Sequence, residues 1–98
     1  MEKLKPLEDF LEKIESDSRI RMTHIAVYVT LYQNWIANDC PEQILVSSRL
    51  MMPLAKISSS ATWHRAIKGL HEYGYIKYCP TFNKMDKSKA IIPINHKR

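Results

Sequence analysis

The residues of this chain best suited to contact a ligand lie between Ser58 and Lys68. They combine short hydroxyl side chains with longer hydrogen-bond donors, in the order Ser58, Ser59, Ser60, Thr62, His64, Arg65 and Lys68. Short polar side chains let a backbone approach phosphates, arginine reaches the edge of guanine, and lysine meets phosphates. This pattern favours a surface that contacts nucleic acid. The alternative is an ordinary solvated helix face.

The charge of the chain is distributed unevenly. The net charge of +5 divides into −1 for residues 1–60, with seven Lys/Arg and eight Asp/Glu, and +6 for residues 61–98, with eight Lys/Arg and two acids. A strongly cationic end of one small domain is the electrostatic footprint of a polyanion binder. A solvated basic surface is the other interpretation.

The hydroxyl and cationic residues belong to an amphipathic helix. Its apolar stripe has the spacing i, i+3, i+4 and i+7, in Trp63, Ala66, Ile67 and Leu70. Ser58 or Ser59 caps the start, and Gly74 supplies the left-handed residue after the end. The opposite side carries Ala61, Arg65, Lys68 and Glu72. Gly69 is expected on the exposed side, where it weakens the helix by up to about 1 kcal/mol.

The rest of the chain predicts three further helices and a small sheet. The helices cover residues 6–16, 22–38 and about 47–56, and the strands cover residues 44–46, 75–79 and 90–94 around a cationic loop at 81–89. Pro53 predicts a kink in its helix or a late start. Pro93 predicts a sheet edge or the end of a strand. The stripe of Tyr28, Tyr32 and Trp35 favours core over a ligand pocket.

This order of elements resembles winged-helix transcriptional regulators. The resemblance is also carried by the segment Thr62-Trp63-His64-Arg65-Ala66-Ile67-Lys68-Gly69-Leu70-His71-Glu72-Tyr73-Gly74-Tyr75-Ile76-Lys77-Tyr78. More narrowly, this segment is similar to small winged-helix proteins of bacterial mobile elements. The resemblance implies an α+β fold, a winged helix-turn-helix with an extra N-terminal helix, a two-stranded C-terminal wing and a short third strand. We therefore expect an N-terminal amphipathic helix with a possible role in dimerisation in residues 1–20, and a winged-helix DNA-binding domain in residues 21–98.

By the same resemblance, the recognition helix at about residues 59–73 enters the major groove of double-stranded DNA. The wing at about residues 80–90 contacts the backbone or a minor groove through Asn83, Lys84, Lys87 and Lys89. The implied function is sequence-specific DNA binding by a small bacterial transcriptional or mobile-element regulator. One alternative is a winged-helix adaptor in a replication, excision or transcription complex. Another is a small ligand sensor.

Other functional classes lack their sequence signals. The chain has no GxGxxG, P-loop, HExxH or GxSxG motif, so we expect no enzyme, no cofactor and no small-molecule ligand. Metal-ligand spacing is missing from the histidines and cysteines, which are His24, His64, His71, His96, Cys40 and Cys79. We expect two free thiols, no membrane segment and a cytoplasmic protein.

The N-terminal helix has an apolar stripe that something must cover. Leu7, Phe10, Leu11 and Ile14 form it at spacings of three and four residues. A homodimer through residues 4–36 is one hypothesis, since winged-helix regulators often dimerise. Packing within one chain is the other.

Overall fold

The computed structural model describes residues 2–81 and 88–93. After a short 3₁₀ turn at Glu2–Leu4, the helices are α1 (Lys5–Ile14), α2 (Met22–Ala37), α3 (Ser48–Leu54) and α4 (Ser60–Glu72). The strands are β1 (Ile44–Val46), β2 (Lys77–Cys79) and β3 (Ser88–Ile91). The expected α+β class and the order of its elements are therefore present in these residues.

The three strands form one antiparallel sheet in the order β1-β3-β2. Ala90 at the centre of β3 lies opposite Ile44 on one side and Tyr78 on the other. These three residues are buried, so this row of the sheet faces the helices. The opposite face carries Leu45, Lys89 and Cys79, all exposed.

The last strand begins earlier than the sequence pattern indicated. Ser88 and Lys89 were expected in the loop at residues 81–89, but both belong to β3. The reason is that β3 is the central strand, so its backbone bonds to partners on both sides. Pro93 lies just beyond the strand, which confirms that it marks an end.

The core lies between α2, α4 and the sheet. All four residues of the α4 stripe are buried, with Trp63, Ile67 and Leu70 at most 1% exposed. Tyr28, Tyr32 and Trp35 of α2 are also buried in this core, where Tyr28 stacks on Tyr32. The aromatic stripe of α2 is therefore core, as expected.

Helix α1 packs against its own chain. The rings of Phe10 and Tyr28 are stacked with centroids 3.8 Å apart, and the Tyr28 hydroxyl donates a hydrogen bond to the Pro6 carbonyl at 3.2 Å. The Tyr32 hydroxyl donates to the Lys3 carbonyl. Much of the α1 stripe is therefore covered within one chain. Dimerisation stays a hypothesis.

Three helices end in the same backbone motif. At the end of α4, the N–H of Tyr75 bonds to the carbonyl of Leu70 and the N–H of Gly74 to that of His71. This is the Schellman arrangement, which needs a left-handed residue. Gly74 has φ +88°, as predicted. Asp39 after α2 and Lys56 after α3 occupy the same position at φ 69° and 61°.

Both the start and the end of helix α3 differ from what the sequence around Pro53 predicted. It starts at Ser48 under a Ser47 cap, whose hydroxyl oxygen accepts from the N–H of Leu50, so the expected late start is wrong. It stops at Leu54 rather than near Lys56. Pro53 lies in the last turn, where the Arg49 carbonyl loses its helical partner because proline has no N–H.

Gly69 is buried, and the expectation that it is exposed was wrong. A Cβ placed on it would lie 2.7 Å from Nε2 and 3.2 Å from Cδ2 of His24 in α2. Glycine therefore allows α2 and α4 to approach closely at this point. His24 has little freedom to move, because its Nδ1 accepts a 2.9 Å hydrogen bond from the backbone N–H of Arg21.

We predict that Gly69→Ala lowers the free energy of unfolding by about 1–3 kcal/mol, because the new methyl group displaces His24. The same change in a His24→Ala background should instead stabilise by up to about 1 kcal/mol, since only the helix preference of alanine remains. Urea denaturation of the four proteins measures both effects. A stabilising Gly69→Ala in the wild-type background would contradict the close approach.

Candidate nucleic-acid interface

Helix α4 presents a polar face on the side away from its apolar stripe. Ser59 caps the helix, with its hydroxyl oxygen accepting from the Thr62 N–H at 3.2 Å. The predicted contact residues Ser58, Ser59, Ser60, His64, Arg65 and Lys68 are exposed, and Thr62 is half-buried. The cap fixes where the helix begins, and the stripe fixes which side faces outward.

Hydrogen bonds to the backbone determine the tautomers of both histidines on α4. His64 Nδ1 lies 2.8 Å from the Ser60 carbonyl, which only accepts, so Nδ1 carries a proton and Nε2 is the acceptor whenever the ring is neutral. His71 Nδ1 accepts from the Tyr78 N–H at 3.1 Å, so its proton lies on Nε2. These two residues therefore use one nitrogen each within the fold.

A cleft of about 680 Å³ lies between the start of α2 and the outward face of α4. Thr62, Arg65 and Lys68 line it from α4, and Arg19, Arg21 and Thr23 line it from the other side. Sequence reasoning missed this second group. The sequence does show two arginines, Arg19 and Arg21, just before a helix. Only the packing of α2 on α4 shows that they line the same cleft as the α4 residues.

The cleft has an excess of positive charge. Among the described residues that line it, four are cations and one, Glu72, is acidic. Arg19 is paired with Asp17. No ion pair within residues 2–81 and 88–93 involves Arg21, Arg65 or Lys68. These three charges are therefore available to an anionic ligand.

The wall of the cleft around Arg19 is held by a compact polar cluster. Nε and Nη2 of Arg19 donate to the two carboxylate oxygens of Asp17 at 2.8 and 2.9 Å. The Tyr75 hydroxyl also donates to Asp17, at 2.6 Å. These bonds, Arg19 first, hold the pKa of Asp17 well below its usual range. Burial and the Asp17 bond raise the pKa of Tyr75 to about 12.

Arg19 also stacks over an aromatic ring. Its guanidinium carbon lies 4.1 Å from the ring centroid of Tyr73, at the end of α4. Through Asp17 and Tyr75 the same residue is tied to the segment that leads into β2. The connection between α1 and α2 is therefore fixed against the exit from α4, and Arg19 is a constrained charge rather than a free one.

His24 forms part of the floor of the cleft. Its Nδ1 accepts from Arg21, so the neutral ring carries its proton on Nε2. Burial, followed by the nearby Arg21 charge, lowers the pKa of His24 from its ordinary value of 6.5. Protonation would place a hydrogen on Nδ1 and remove the acceptor that holds the Arg21 N–H.

Only some of the residues predicted for the wing are among those that the structure describes. Lys89 is exposed on β3, and the predicted contact residues Asn83, Lys84 and Lys87 lie outside the described residues. Cys40 and Cys79 are both free thiols. Across residues 2–81 and 88–93, no group of three or more His, Cys, Asp or Glu side chains is arranged to hold a metal ion, and no helix has the length and apolarity needed to cross a membrane.

We compared the chain with protein-family models, curated proteins and solved structures, and found no match. The function of this protein is therefore inferred from the geometry and charge of the site itself.

We predict that the protein loses stability as the pH falls below about 6.5. The unfolded chain takes up a proton on His24 that the folded protein, with its lowered pKa, does not. As the pH is lowered, His24 reduces the free energy of unfolding by up to about 1.4 kcal/mol per pH unit, until the pH reaches the pKa of His24 in the folded protein. Urea unfolding of wild type and His24→Gln across this range isolates it, because the other three histidines are common to both proteins. Equal pH slopes for the two proteins would show that His24 does not contribute.

Proposed function

We propose that this protein binds double-stranded DNA in a sequence-specific manner, as a small bacterial transcriptional or mobile-element regulator with a winged helix-turn-helix fold. The observation that carries the proposal is the outward face of α4. It is polar and exposed, and it begins with a capping hydroxyl. Its cations Arg65 and Lys68 form no ion pair among the described residues and line a positively charged cleft. Helices that enter the major groove need these features.

The arrangement of the neighbouring elements supports this role for α4. A capped α3, a tight left-handed turn at Lys56 and then α4 follow the order of a helix-turn-helix. The strands after α4 pair with β1 in the order β1-β3-β2. The region around residues 80–90, which includes the start of β3, would then serve as the wing.

Each contact residue takes a role suited to its chemistry. Arg65 donates to guanine in the major groove, which is the commonest specific contact of this kind. The exposed His64, whose Nε2 is an acceptor in the neutral ring, accepts from an amino group of cytosine or adenine. Lys68 meets a phosphate, as do Ser58, Ser59, Ser60 and Thr62 near the start of the helix. In the wing, Asn83, Lys84, Lys87 and Lys89 follow the backbone or a minor groove.

One observation favours the adaptor as a second candidate. Leu50 and Leu54 lie one turn apart on α3 and are 66% and 70% exposed. Exposed leucines at this spacing are suited to contact with another protein. Salt separates the two candidates, since DNA binding through lysine and arginine weakens steeply as salt rises.

The first prediction is that the purified protein selects a defined duplex from a random pool. Its affinity for that duplex should fall with salt with a log–log slope near −0.9 for each phosphate neutralised. Selection followed by binding assays at several salt concentrations measures both quantities, and the spacing of any palindrome reports on dimerisation. Negligible duplex affinity even at low salt would exclude DNA binding and favour the adaptor.

The second prediction separates base contacts from phosphate contacts on α4. Arg65→Ala should cost about 1–3 kcal/mol on the selected duplex and relax the sequence preference. Lys68→Gln should weaken selected and random duplexes alike and reduce the salt slope by about 0.9. Fluorescence anisotropy on both duplexes measures these changes. If the two variants behave identically, Arg65 does not read a base.

A further inference from the structure

The residues before α2 form a cationic surface that sequence reasoning did not include. Arg21 is exposed, and no ion pair among the described residues involves it. Its backbone is nevertheless fixed, because its N–H donates to His24 Nδ1 at 2.9 Å. A long cationic side chain on a fixed backbone position is suited to bind an anion at a defined place.

The location of Arg21 relative to α4 follows from the packing of the two helices. His24, one turn into α2, lies against Gly69, where a Cβ would be only 2.7 Å from the imidazole. Gly69 and Lys68 are neighbours on α4. As a result, Arg21 and the half-buried Thr23 line the same cleft as Arg65 and Lys68.

The composition of the cleft identifies the class of ligand. The cations that form no ion pair within residues 2–81 and 88–93 come from two separate elements, Arg21 from the segment before α2 and Arg65 with Lys68 from α4. Thr23 and Thr62 add hydroxyl donors. Cations together with hydroxyl groups complement a chain of phosphodiesters, since each phosphate carries one charge and accepts several hydrogen bonds.

We propose that Arg21 and Thr23 hold the DNA backbone beside the groove that α4 enters, as a clamp separate from the residues that read bases. This inference rests on the proposed function. Arg21 supplies charge and Thr23 a hydroxyl donor, both to phosphate oxygens. The clamp fixes the depth and tilt of α4 in the groove and carries no sequence information itself.

Binding of the selected duplex and of a scrambled duplex of equal length, measured over a range of salt concentrations, tests the clamp. Arg21→Gln should weaken both duplexes by the same factor and reduce the salt slope by about 0.9. Arg21→Lys keeps the charge and should retain the slope. Thr23→Val removes a donor but no charge, so both affinities should fall while the slope is unchanged.

Lys3→Gln is the matched control. The Lys3 carbonyl bonds to Tyr32, which lies about 16 Å along α2 from Arg21 at the helical rise per residue. The variant loses one positive charge far from the cleft and should bind both duplexes like wild type. Urea unfolding of each variant identifies any loss of affinity that arises from unfolded protein.

The results distinguish the clamp from the function on which it rests. If wild type binds duplex DNA and Arg21→Gln behaves like Lys3→Gln, the clamp is wrong and the proposed function stands. A change in the ratio between the two duplexes for Arg21→Gln would also overturn the clamp, because it would assign Arg21 to base reading. If wild type binds neither duplex, the proposed function fails first and the clamp fails with it.

Discussion

Glycine at position 69 permits the close contact between α4 and His24 of α2, and both residues line the cationic cleft. A side chain on residue 69 would meet the imidazole at 2.7 Å, so the helices come this close only because glycine has no Cβ. His24 in turn bonds to the backbone of Arg21. One small residue in the middle of α4 thereby leaves room for the start of α2, which borders the cleft.

The cations around the cleft are of two kinds: one forms an ion pair within the fold, and the others do not among the described residues. Arg19 is held by Asp17 and the ring of Tyr73, and it serves to fasten the connection between α1 and α2. Arg21, Arg65 and Lys68 have no such partner among the described residues. The fold thus pairs one cation near the cleft and leaves three without an ion pair among the described residues.

Local patterns predicted the helices and strands well, because periodicity, capping serines and Gly74 act over a few residues. They could not predict Gly69, whose burial depends on a histidine 45 positions earlier in the chain. Lys56 was also missed, since nothing local marks a lysine as left-handed. The part of the candidate site on α4 could be predicted from the sequence of that helix. Arg21 could not, because it lines the cleft only as a result of the packing of α2 on α4.

The hydrogen bond from the Tyr78 N–H to His71 protects an outer strand of the sheet from pairing with another chain. β2 is an outer strand of the sheet, and outer strands expose main-chain donors that another chain can pair with. Here the imidazole occupies one of those donors at 3.1 Å. The histidine at the end of α4 thereby makes β2 a poorer template for strand addition, so one side chain of the proposed recognition helix also opposes self-association of the sheet.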